Sequence, residues 1–100
     1  MKVQNMTSAN GNKVANQFII SHDELHGDDG NVYVESFQSY DSIIATKRVF
    51  YKGGHEVTLD RTTWNYSKTT SKYRNQFLNE TTKETQAKID SGEYILADLN

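Results

Sequence analysis

The densest run of polar side chains is His22-Asp23-Glu24-Leu25-His26-Gly27-Asp28-Asp29-Gly30-Asn31. Two imidazoles among carboxylates are the nitrogen and oxygen donors that a divalent metal takes. Residues four apart meet on a helix, however, and Gly27 and Gly30 mark this segment as a loop between strands. Asp28-Asp29-Gly30 also lacks the alternating carboxylates of a calcium loop. A solvated hairpin loop accounts for the same residues, so neither a metal nor another cofactor is expected. Asp23, Glu24, Asp28 and Asp29 then form an acidic surface, the first candidate for partner contact.

The second candidate is basic. Between residues 61 and 79, Arg61, Lys68, Lys72 and Arg74 meet no acidic residue, and Trp64, Tyr66 and Tyr73 are interleaved with them. Bases alternating with stacking aromatics are how single strands are gripped. A helix with core aromatics on one side and solvated bases on the other has the same pattern. Lys68, Lys72 and Arg74 are the candidate contacts here.

Catalytic constellations are scarce. The chain has no cysteine, which removes thiolate zinc sites, disulfides and cysteine nucleophiles. It has no glycine-flanked nucleophile serine, dinucleotide fingerprint or phosphate loop. No pair of carboxylates falls inside an apolar segment, and His55 follows Gly53-Gly54 in a turn. The expectation is a non-enzymatic protein.

The elements that must position these residues are legible in outline. One hundred residues allow one domain, 1–100. Eleven bases against thirteen acids, a net charge of −2, speak against a dedicated nucleic-acid binder. No apolar run is long enough to span a membrane, and the first residues lack the apolar stretch of a secretory signal; a cytoplasmic location is expected. Strands are expected at Lys2–Met6, Lys13–His22, Asn31–Tyr40, Ile43–Ala45, Lys47–Tyr51 and Glu56–Asp60, with Asn10-Gly11 closing the first hairpin. Helices follow: Ser67–Asn79, with Thr70, Tyr73 and Phe77 on one stripe, and a second opened by the capping box Thr81-x-x-Glu84 and closed at Gly92. Glu93–Leu99 reads as a closing strand. Strands, then helices, then one strand make an α+β fold: a mainly antiparallel sheet of five or six strands packed by one or two C-terminal helices. Strand alternation and the helical stripe predict a core of Phe18, Ile20, Val34, Ile43, Trp64, Tyr73, Phe77 and Leu96.

The segments SANGNKVANQFII, FQSYDSIIA and VTLDRTTWNYSKTTSKYRNQFLNETTKETQAKIDSGEY together resemble a family of roughly hundred-residue proteins carried by phages, plasmids and conjugative elements of Gram-positive bacteria. The resemblance covers nearly the whole chain; HDELHGDDGNVYVES stands where family members have a shorter connection. It brings no catalytic residues with it. It is similar in kind to the anti-CRISPR inhibitors of type II systems, which implies a cytoplasmic partner in the bacterial host: a CRISPR effector nuclease with or without its guide RNA. The runner-up is a nucleic-acid-binding accessory protein of a mobile element. The sequence also admits a homodimer.

Overall fold

The computed structural model describes residues 1–25 and 30–100. Six strands lie side by side in chain order: β1 (Lys2–Thr7), β2 (Lys13–Leu25), β3 (Asn31–Ser39), β4 (Ser42–Phe50), β5 (His55–Asp60) and β6 (Ile95–Ala97). The first five pair antiparallel, and β6 joins β5 in parallel. The parallel step is available because two helices, α1 (Lys68–Leu78) and α2 (Thr82–Asp90), carry the chain back between them. The fold is α+β, with a mainly antiparallel sheet. No helix among the described residues is long and apolar enough to cross a membrane.

Local chemistry sets the helix ends. The Ser67 side chain accepts from the Thr70 backbone N–H, and Asn79 ends α1 in the left-handed region. Thr81 and Glu84 complete a reciprocal capping box on α2. Gly92, at φ +84°, turns the chain out of α2 toward β6, a conformation that costs a side chain dearly. Asp60 holds the start of the crossover. One carboxylate oxygen accepts from the Thr63 N–H and hydroxyl, and the other accepts from the Leu99 N–H. Asn100 then acts as one more ladder rung, exchanging two hydrogen bonds with the Ile43 backbone.

Both helices pack on one face of the sheet. The core there consists of Met6, Phe37, Ile44, Ala45, Val57, Leu59, Tyr73, Phe77 and Tyr94. Phe37 and Phe77 meet with ring centroids 6.0 Å apart. Val34, Tyr73 and Phe77 are buried as expected. Phe18 and Ile20 are not core residues: it is Ile19, paired with Phe37, that packs against the helices. The reason is a bulge. Asn16 sits at φ +63° and the β1–β2 register slips there, so Val14 and Ile19 share the helix side although they are an odd number of positions apart. Ile43, Trp64 and Leu96 are only partly buried. Ile44 takes the expected place of Ile43, because a second irregularity between Phe37 and Gln38 offsets the register of β3 and β4. That irregularity leaves 42–50 as one strand where two were expected.

Candidate functional site

The helices are too short to cover the sheet. The eleven residues of α1 span about 16 Å, whereas the nine of β3 reach about 27 Å. The start of α1 is fixed at one end of β3, where the Ser39 and Thr70 hydroxyls are 3.1 Å apart. Past its last residue, Leu78, the helix-side face of β3–β5 opens as a groove of about 570 Å³.

Strand register sets the groove floor. One cross-strand row is Tyr33–Val49–His55, and the next is Glu35–Lys47–Val57. Leu78, Lys88 and Tyr94 form the helix-side wall. Asp23 pairs with Tyr33 and so extends the first row on β2.

The two lysines differ in how their charge is met. Lys88 Nζ lies 2.7 Å from Glu80 Oε2 and 5.2 Å from the centre of the Tyr94 ring. Glu80 Oε1 also accepts from the Thr85 hydroxyl. Burial alone would push the Glu80 carboxyl up, but these donors hold it below the usual carboxylate range. The Glu80 bond raises Lys88 well above an ordinary lysine. Burial, with the Glu80 carboxylate alongside, pushes the Tyr94 hydroxyl up to about 12. Lys47 is different: its Nζ is 3.9 Å from Glu35 Oε1 and 5.1 Å from the centre of the Phe77 ring. That ion pair is too long for a hydrogen bond, so ammonium donors and carboxylate lone pairs both face the groove.

The residues expected from sequence fall in different places. Asp23 is exposed on β2. Glu24 lies on the opposite face in register with Val32, and its carboxylate is 3.0 Å from His22 Nε2. Asp28 and Asp29, with His26, lie outside the described residues. Among the described residues no group of three or more His, Asp or Glu is placed to hold a metal ion. Lys68 and Lys72 are exposed on α1, Lys72 lying 5.4 Å from the centre of the Tyr73 ring.

Arg74 corrects the reading of the basic stretch as solvated. It is fully buried, donating to the Trp64 carbonyl, Asn65 Oδ1, Asn75 Oδ1 and Thr82 Oγ1. Burial pushes its guanidinium down from the ordinary value, opposed by the Glu80 charge. Because Thr70 in the first turn of α1 meets Ser39 whereas Asp23 pairs with Tyr33, the start of α1 and Asp23 lie toward opposite ends of β3.

Sequence reasoning missed the groove pair. Glu35 and Lys47 are twelve positions apart in two strands, and only the β3–β4 register brings them together. Nothing matches the chain among curated proteins or solved structures. A family model does match, over residues 1–93, and by that match the chain belongs to the Family of unknown function (DUF8033).

Proposed function

We propose that this chain inhibits a guide-RNA-dependent type II CRISPR nuclease by direct protein contact in the bacterial cytoplasm, blocking guide-RNA loading or target-DNA binding. The resemblance of its quoted segments to small mobile-element proteins motivates the reading. The observation that carries it is the position of Asp23. The β1–β2 register ends at Lys2 and Ser21, so Asp23 stands exposed where β2 runs on past β1, in a stretch of sequence that goes on to Asp28 and Asp29. Acidic groups held at one end of a small rigid domain complement a basic nucleic-acid channel and speed encounter with it. Inhibition of this kind requires no active site.

The test is co-purification with type II effector nuclease, with and without guide RNA, followed by target cleavage. A complex and slowed cleavage are expected. Free cleavage with no complex in either case overturns the reading.

One observation favours a nucleic-acid-binding accessory protein instead: Tyr66, Lys68 and Lys72 are exposed together at the start of α1. Gel shifts on bare single and double strands separate the two, because phosphate-driven binding weakens steeply with salt.

A further inference from the structure

We infer that the groove past the end of α1 binds a guanine base, read by Glu35 and Lys47. The inference stands apart from the inhibitor reading, since the groove has the same chemistry whichever partner the protein meets.

The groove floor leaves one ion pair unsatisfied. Glu35 and Lys47 are both about one-quarter exposed, and 3.9 Å separates Oε1 from Nζ. Neither makes a hydrogen bond to the other at that length. A carboxylate is an acceptor only, and an ammonium a donor only. The pair therefore presents two acceptors beside a set of donors on a half-buried surface, where such groups gain most from a matching partner.

Guanine carries the complementary edge. Its N1–H and N2–H donate side by side to one carboxylate, and O6, next to N1, accepts from an adjacent ammonium. Adenine sets the acceptor N1 against the carboxylate. Uracil offers one N–H between two carbonyls, and cytosine pairs its amine with an acceptor ring nitrogen. Only guanine uses Glu35 bidentately while also satisfying Lys47. The floor also suits a planar ring: Tyr33 is 43% exposed and Val49 is 41% exposed, both in the row next to the pair. An exposed tyrosine ring is a stacking platform for a base. At about 570 Å³ the groove lies in the range of small-ligand sites.

Charge plays a lesser part. Lys47 offsets Glu35 and Glu80 largely neutralises Lys88, which leaves the single negative charge of Asp23 at the edge. The groove thus selects by hydrogen-bond pattern rather than by attracting phosphate, and its binding should depend weakly on salt, unlike a phosphate-driven contact.

The base can arrive on a free nucleotide or in a single strand, and the experiment separates these. Amide and side-chain NMR shifts of the intact protein are followed during titration with GMP, IMP, AMP and UMP. A short single-stranded RNA with one guanine is compared with the same strand carrying adenine. GMP should shift Tyr33, Val49 and His55 and bind about tenfold tighter than IMP, which lacks only the N2 amine that Glu35 would hold. AMP and UMP should be weaker still. Tighter binding of the guanine strand than of GMP makes RNA the source, and the reverse makes it a free nucleotide. Glu35→Gln should lose about tenfold for GMP and erase the GMP–IMP difference, with Lys83→Ala, exposed on α2, unchanged. The GMP–IMP comparison uses the unaltered protein, so it decides even if Glu35→Gln does not fold. Equal binding of GMP and IMP, shifts confined to other surfaces, or no shift with millimolar GMP overturns the inference.

Discussion

The Arg74 guanidinium lies 5.1 Å from the centre of the Trp64 ring and donates to the carbonyl of the same residue. One buried cation thus ties the 61–67 connection to α1, and its other amine reaches across to Thr82 at the start of α2. Among the described residues no carboxylate bonds it; carbonyl and hydroxyl oxygens and a π face share the charge. Only a planar fork of donors can serve partners in so many directions.

Arg74→Met should therefore cost about 3 kcal/mol or more, since it removes four hydrogen bonds made by one fully buried cation to partly covered acceptors. Arg74→Lys should recover little of that, because a single ammonium cannot span the partners. Denaturant melts check both, with Lys72→Ala as an exposed comparison expected within about 0.5 kcal/mol of the parent.

Phe77→Ala should cost about 3–5 kcal/mol, because its ring fills the space between Phe37 and the Lys47 ammonium. A melting temperature equal to the parent's would rule out this packing of α1 on the sheet. Thr81→Ala should cost about 1 kcal/mol by removing the oxygen that accepts from the Glu84 N–H.

Much of this architecture was legible beforehand because its signals are local. Caps, turn residues and a 3.6-residue stripe declare themselves within a few positions, and α1, α2 and Gly92 fall where those signals put them. What failed was the face of β2. Phe18 and Ile20 alternate correctly, yet a left-handed Asn16 upstream reverses which side the helices cover. A one-residue slip moves every side chain to the other face, and no local pattern reports it. Arg74 misled for a related reason: a base among aromatics reads as solvated until the oxygens of Asn65, Asn75 and Thr82 converge on it.

Stability should fall at both pH extremes, for separate reasons. Asp60 is buried, which by itself would raise its carboxyl; donors from Thr63 and Leu99 outweigh that and lower it, as Lys88 and Thr85 do for Glu80. A carboxyl lowered in the folded state stabilises above its unfolded value and loses that contribution as pH falls through the folded one. Acid loss should begin near the ordinary carboxylate range, about pH 4, and Asp60→Asn should flatten it. Tyr94 is shifted the other way, to about 12. Its contribution is complete below about pH 10 and disappears as pH rises toward the folded value. Tyr94→Phe should reduce that alkaline slope, measured by chemical denaturation across pH, and leave the part that comes from the Lys88 ammonium held up by Glu80.

The remaining prediction asks which end of β3 meets the proposed nuclease. Asp23, opposite Tyr33, is exposed toward the hairpin end, and Lys68 and Lys72 are exposed at the start of α1 near Ser39, about 20 Å away along the strand. A single flat contact is therefore dominated by one end. Against a basic channel the acidic end should carry the contact. Neutralising Asp23, Glu24, Asp28 and Asp29 together should slow association and weaken inhibition, most strongly at low salt where screening is least. Lys68→Glu with Lys72→Glu should then leave inhibition intact or slightly improved, because it adds charge of the helpful sign. The reverse outcome, with the lysine pair essential and the acids silent, would place the contact at the start of α1 and favour nucleic acid as what is bound. Equal losses from both changes would require a partner that wraps the length of the sheet. Inhibition rates measured at two salt concentrations for the parent and the two variants distinguish all three.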